Sequence, residues 1–232
     1  MKKVIYSDMF SKEKYEVIVL DMDGTLYYQR SMQFFMCMEM GIYGITHPFL
    51  LWKFKIIGLF RKIREQSEYS MVTCSDDDME TVHSSLLEYQ YAITAKQMDR
   101  PVEEICAVVE EWMFERPLKY LWSVRDKQLC EWVMRWREQG KKVVVYSDYP
   151  VEKKVKALAI EVDAMYCSDN ARISQMKPST KGMEIICEDL QVTPDSVLVV
   201  GDRMSKDGKM AETAGSDYVI LKKWKFPRCR YY

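Results

Sequence analysis

Apolar positions along this chain follow two regimes. Short runs rich in β-branched residues, each stopping at a polar cluster, occur at Val17–Leu20, Val143–Tyr146, Ala164–Cys167, Val197–Val200 and Tyr218–Leu221. Such runs read as buried strands of a parallel sheet. After the second of them the intervening stretches take a helical period, over Val151–Leu158, Thr180–Asp189 and Lys206–Ala214; Arg125–Gln139 precedes it in the same style, with Gly140 and Gly215 as stops. Alternation of this kind predicts an α/β fold with a doubly wound parallel sheet.

Residues 27–119 are different. They are dense in Met, Phe, Trp and Tyr, and their period is helical, with helices expected over Ser31–Met40, His47–Arg64, Met79–Ile93 and Val102–Phe114, the last entered after Pro101. Cys74–Asp78 reads as a loop leading into the third helix, its acids favourable at a helix amino end; the spacing is not that of an EF-hand, and Ca²⁺ is not expected there. The chain thus divides into an α/β core domain, residues 1–26 and 120–232, and an inserted α-helical cap domain, residues 27–119. An insertion placed directly after the first strand overhangs that end of the sheet, where a lid belongs.

Phe49–Arg64 is apolar and basic together. Lys53 and Lys55 interrupt it, leaving fewer than the roughly 18 apolar residues a bilayer span needs, so no transmembrane segment is expected. Packing inside the cap is preferred to contact with a membrane surface.

Composition narrows the chemistry. A net charge of −1 over 232 residues offers no basic face for nucleic acid. Met1–Asp8 lacks the uninterrupted apolar core of a signal peptide. Seven scattered cysteines with no Cys-x-x-Cys pair suggest reduced thiols in a cytoplasmic protein, not a disulfide framework or a zinc site. With only His47 and His83, a His-rich metal centre is excluded and a Ser-His-Asp triad is poorly supported. Carboxylates, hydroxyls and lysines must carry any reaction.

Those groups collect at strand ends, where ligands bind in open α/β sheets. Asp21 and Asp23 follow the first strand, Ser147 closes the second, and Asp202 follows the fourth; Lys177 lies in a loop before Pro178, and Asp207 begins a helix. Singly, each has an ordinary explanation: Asp and Ser favour turns and caps, and Lys favours solvent. Gathered together, the acids would repel one another unless a cation relieves them, and hard oxygen ligands with few histidines point to Mg²⁺.

The four segments Asp21-Met22-Asp23-Gly24-Thr25, Val145-Tyr146-Ser147, Lys177-Pro178 and Gly201-Asp202-Arg203-Met204-Ser205-Lys206-Asp207, in this order, resemble the four motifs of the haloacid dehalogenase-like hydrolase superfamily. The resemblance spans the core domain, and the insertion resembles that family's helical cap by position. It implies a Rossmann-like core and a Mg²⁺-dependent phosphatase acting on a small phosphomonoester, such as a sugar phosphate or nucleotide. It further implies Asp21 as nucleophile and Asp23 as acid, base and backbone-carbonyl metal ligand. Ser147 and Thr25 would stand at the phosphate, Lys177 would neutralise charge, and Asp202 would hold Mg²⁺ with Asp207 as a further ligand or support. Asp148, where the family often has a neutral Asn, sets a negative charge near the phosphate unless it points away. Tyr27 and Tyr28 stand at the cap hinge as candidate substrate contacts.

Three other functions compete. A phosphomutase shares the same core and differs only in the fate of the phosphoryl group. A non-catalytic phosphate-binding protein would be expected to have lost one of the motif residues. A membrane-peripheral role through Phe49–Arg64 is compatible with catalysis. The dehalogenase branch resembles sequences lacking the second acid, so Asp23 argues against it. Exposed cap aromatics leave monomer and homodimer both open.

Overall fold

The computed structural model describes residues 14–65 and 85–223. Five strands, β1 (Val17–Leu20), β2 (Lys142–Ser147), β3 (Ala164–Cys167), β4 (Val197–Gly201) and β5 (Asp217–Ile220), form one parallel sheet in the order β3-β2-β1-β4-β5. β1 is central: Leu20 lies beside Val145 of β2 on one side and Val200 of β4 on the other. The two strands that carry motif residues therefore flank the first, and all three end at the same edge.

The period-two alternation of the strands explains the two packed layers. Ile18, Leu20, Val143, Val145, Leu198 and Val200 face the helices Lys127–Glu138 and Glu152–Leu158, meeting Leu129, Val133, Trp136 and Leu158. Val17, Val19, Val144, Tyr146, Val197 and Val199 face Lys181–Leu190 and Lys209–Ala214 on the other side, meeting Met183, Ile186 and Met210. Each fully buried aliphatic side chain contributes about 1.5–3 kcal/mol, so the sheet's position is well fixed before any polar group is considered.

The insert is helical: α1 (Gln29–Thr46), α2 (Trp52–Glu65), α3 (Leu86–Met98), α4 (Val102–Val109) and α5 (Leu118–Val124). Its own core gathers Ile56, Phe60, Tyr91, Ile105, Val109 and Trp112. Four details differ from the sequence pattern. The expected helix His47–Arg64 divides: Pro48, whose missing N–H prevents α1 from running on past Thr46, opens the short turn Pro48–Leu50, and α2 begins only at Trp52. Val102–Phe114 passes from α4 into a wide π turn at Glu110–Glu115. Lys206–Ala214 likewise begins with a π turn, Met204–Gly208. The helix α5 is too short to announce itself by periodicity, and the expected junction at 119/120 falls inside it. The described part of the third helix starts at Leu86, where Ser85 Oγ accepts from the Glu88 N–H at 3.2 Å. Asp76–Asp78, with the calcium reading attached to them, lie outside the described residues.

The chain leaves and re-enters the sheet side by side. Tyr27 and Arg125 form an isolated antiparallel bridge, and the Tyr28 N–H donates to the Val124 carbonyl at 2.9 Å. Among the described residues no helix is long and apolar enough to cross a membrane.

Candidate active site

The turn after β1 is built to aim Asp21 inward. The Leu26 N–H donates to the Met22 carbonyl at 3.1 Å, and Gly24 takes φ +91°, a conformation other residues adopt only with strain. A side chain at Gly24 would also collide with the Asp202 carboxylate, so this glycine lets the ends of β1 and β4 approach. Lys223 braces the turn from outside, donating to the Thr25 carbonyl and pairing with Asp126 at 2.6 Å.

Both oxygens of Asp21 are held. Lys177 Nζ donates to Oδ1 at 2.6 Å, and Thr25 Oγ1 donates to Oδ2 at 3.1 Å. The same ammonium donates to Asp207 Oδ1 at 2.7 Å and to the Tyr146 carbonyl at 3.2 Å. Asp21, Lys177 and Asp207 are all buried. The Asp207 carboxylate in turn accepts from the Arg203 N–H at 3.2 Å.

Burial pushes the Asp21 carboxyl up, to about 7, against the pull of Lys177, and neighbouring Asp207 adds to the rise. Burial alone would lower the Lys177 ammonium, but Asp21, Asp207 and Asp148 overcome it and raise it well above its ordinary value. Asp202 is raised by burial and by Asp207, with Arg203 opposing. These acids are short of positive charge.

Asp23 is treated differently. Burial favours its neutral form, yet Lys154 and the Tyr27 hydroxyl hold its carboxyl below the usual range. Lys154 Nζ donates to Asp23 Oδ1 at 2.6 Å, and the Tyr27 hydroxyl donates to the same oxygen. Tyr27, buried beside that carboxylate, is pushed far above its ordinary value and stays a donor.

Asp148 turns from solvent into a ring of donors. Its Oδ1 accepts from the Lys177 N–H and from Ser168 Oγ, each at 3.0 Å, and its Oδ2 accepts from Lys206 Nζ at 2.8 Å. Burial would raise its carboxyl, but Lys177 and Lys206 bring it down to about 2. Its charge is thereby matched within the protein. Ser147 is buried at the end of β2, its Oγ 3.4 Å from the Tyr149 N–H. Tyr28 lies under Lys223, whose Nζ is 5.4 Å from the ring centroid.

Three groups here had no role assigned by the motifs. Lys154 sits on a helix facing the sheet edge with nothing in the local pattern to mark it, and Lys206, although inside the segment Gly201–Asp207, has the look of any lysine at a helix entry. Arg64 does leave a trace: it occupies a buried position of α2, four residues after Phe60, where a charge interrupts the apolar face. It donates to Gln90 Oε1 at 3.0 Å and to the Asp148 carbonyl, and its guanidinium lies 4.2 Å from the Tyr149 ring centroid. The insert is thus tied to the loop after β2. Between insert and core, a cavity of about 200 Å³ opens on Asp23, Tyr27 and Lys154.

Asp21, Asp202 and Asp207 each offer a carboxylate oxygen within 4.8 Å of the others. Asp202 Oδ1 is buried and accepts no hydrogen bond, although Arg203 Nε stands 3.5 Å away. A cluster of hard oxygens with an unsatisfied member fits a small divalent cation such as Mg²⁺.

Comparison with known proteins agrees with this geometry. No curated protein matches the chain. Among solved structures, a 2-haloacid dehalogenase from Pseudomonas syringae pv. tomato shares 15% identity at a TM-score of 0.60, over 92% of this chain and 91% of that one. A predicted phosphoglycolate phosphatase from Haemophilus somnus shares 18% identity at a TM-score of 0.51, over 90% and 86%. A variant of CbbY from Rhodobacter sphaeroides in complex with xylulose-(1,5)-bisphosphate shares 14% at 0.52, over 90% and 87%. At such identities these likenesses speak for the fold. The profile of the haloacid dehalogenase-like hydrolases matches residues 15–215, nearly the whole chain, and this protein belongs to that family.

Proposed function

We propose that the protein is a Mg²⁺-dependent phosphatase that hydrolyses a small phosphomonoester by way of a phosphoryl group carried on Asp21. The observation that supports this most is the buried Asp21 carboxylate, fixed by Lys177 at 2.6 Å beside the acids Asp202 and Asp207, with a second acid two residues on. A dehalogenase has no leaving oxygen to protonate and no need of Asp23 in its present setting.

In the first half-reaction an Asp21 oxygen attacks phosphorus and the bond to the ester oxygen breaks. The leaving oxygen takes its proton from Asp23. In the resting protein Lys154 and Tyr27 hold Asp23 ionised; an arriving phosphoryl dianion adds negative charge beside it and raises its proton affinity. In the second half-reaction Asp23 takes a proton from water, the water oxygen bonds to phosphorus, and Asp21 is released as a carboxylate. Lys177 neutralises charge on Asp21 and the phosphoryl group, while Ser147 Oγ donates to a phosphoryl oxygen. Asp21, Asp202 and the Asp23 carbonyl would hold Mg²⁺, with Asp207 behind them. When bound, that ion supplies positive charge to the phosphoryl oxygens as the bonds exchange.

The test is release of inorganic phosphate from a panel of phosphomonoesters, with Mg²⁺ and with chelator. Asp21→Asn is expected to lower turnover on the order of 10⁴-fold or more while preserving the fold. Undiminished Mg²⁺-dependent release by that variant would sink the mechanism, and transfer of the phosphoryl group to a second sugar hydroxyl would make the protein a mutase.

A further inference from the structure

The cavity over Asp23 is lined mainly by apolar side chains, with its densest polar cluster at the catalytic end. There the Asp23, Tyr27 and Lys154 side chains are already bonded to one another. Beyond them, Met32, Met36 and Met40 stand four residues apart on one face of α1, opposed by Ile57, Phe114 and Leu121. Gln29, Gln33, Arg61, Tyr149 and the unpartnered Trp112 Nε1 add polar atoms, but none of them lines the groove into which Met40 leads.

Met40 also belongs to a second, shallow groove of about 430 Å³, completed by Gly41, Gly44, Ile45, Leu51 and Phe54. That groove has no polar side-chain atom. Gly41 leaves the surface of α1 bare beside Met40, while Gly44 lets the Leu51 side chain pack directly against the helix. An apolar track therefore runs from the candidate acid–base residue along α1 and out to the exposed Ile45.

We infer that the phosphomonoester taken by this site carries an apolar, hydroxyl-poor hydrocarbon chain, which lies along Met36 and Met40 and continues towards Ile45. The inference rests on the phosphatase reading and narrows its substrate class. Sugar and nucleoside hydroxyls buried against the methionines and along the groove beyond Met40 would lose their water partners without replacement, and such groups are costly to bury unpaired. An alkyl chain has nothing to lose, and the unbranched, polarisable methionine side chains can mould to its shape. Since the first cavity is smaller than the roughly 300–1,000 Å³ of drug-sized sites, a chain must extend into the groove to gain more contact.

The test uses butyl phosphate, octyl phosphate and glucose 6-phosphate, all esters of primary alcohols, so that differences report recognition and not leaving-group chemistry. Acetyl phosphate, too small to reach Met40, reports the catalytic centre alone. The expected result is a kcat/KM at least tenfold higher for octyl than for butyl phosphate, with glucose 6-phosphate poorest. Met36→Gln and Met40→Gln are expected to lower the octyl value tenfold or more and to leave acetyl phosphate turnover unchanged, which also shows that the variants fold. A flat chain-length series, or preference for glucose 6-phosphate, overturns the inference while leaving the phosphatase reading standing. If not even acetyl phosphate is hydrolysed, the phosphatase reading fails, and calorimetric titration of octyl phosphate and glucose 6-phosphate into the protein decides about the track. At least tenfold tighter octyl binding supports it; equal binding, or none, overturns it.

Discussion

The sheet edge and the inner wall of the insert meet at one cavity and are made on opposite principles. At the edge, nearly every polar atom has a named partner: Lys177 spans Asp21 and Asp207, Thr25 holds the second oxygen of Asp21, and Asp148 is enclosed by Ser168, Lys206 and the Lys177 backbone. On the wall, methionines and aromatics make non-directional contacts that any similar set of side chains could supply. Bond-making needs atoms held to a fraction of an ångström, which hydrogen bonds on a packed sheet provide. Selection among leaving groups needs only shape and polarity. The two demands are separated along the chain, one on strand ends and one on an insert.

This contrast can be broken most forcefully at Lys177. Replacing it by Met leaves Asp21 and Asp207 buried without a counter-charge, and a loss of about 3–5 kcal/mol in unfolding free energy is expected together with loss of turnover. Urea denaturation measures the first, and a stability equal to wild type would show that the pair is not a structural linchpin. Asp23→Asn separates the acid from the nucleophile. In the first half-reaction, followed as single-turnover transfer of phosphate to the protein, it is expected to cost about 10²–10⁴-fold with alkyl esters and much less with acetyl phosphate, whose leaving group needs no proton. Equal losses in that step on both substrates would remove Asp23 from the leaving-group proton path.

Asp148 gives a subtler effect, visible through pH. Its carboxyl is depressed from 3.8 to about 2 in the folded protein. Its contribution is therefore complete above about pH 4 and is lost as pH falls from there through about 2. Asp148→Asn should flatten the acid limb of a stability–pH curve by on the order of 2 kcal/mol; an unchanged slope would mean that the ring of donors gives no net preference for the charged form. The smallest effect is expected on the insert's outer face. Phe49 is 92% exposed, and Phe49→Ser should alter unfolding free energy by no more than about 0.5 kcal/mol, as read from a thermal melt.

The same division governs what the amino-acid sequence discloses. The strands were legible because short apolar runs rich in β-branched residues and bounded by polar clusters have few other uses, and every expected strand is found within a residue or so of its place. Asp21, Lys177, Asp202 and Asp207 could be singled out because they sit where strand ends and the following loops must converge. The insert's segmentation was less legible, since the short turn Pro48–Leu50 and the π turn at Glu110–Glu115 interrupt patterns that periodicity alone would carry through. Lys154 escaped altogether, and Lys206, though inside the fourth motif, gave no sign of its partner. A lysine on a helical turn has the same local signature whether it points to water or to a carboxylate, and only the tertiary fold decides. Arg64 was recoverable in principle as a charge in an apolar stripe.

Arg64 carries a consequence for how the two halves communicate. It belongs to the insert, yet its guanidinium holds the carbonyl of Asp148, whose carboxylate accepts the Lys177 N–H. Swinging the insert outward would take this cation from the Asp148 carbonyl and the Tyr149 ring, and so remove a support from the segment that anchors the Lys177 loop. Whatever coupling this contact carries between the angle of the insert and an anion at Lys177 acts with equal strength in both directions. Occupancy and closure are then two readings of a single equilibrium.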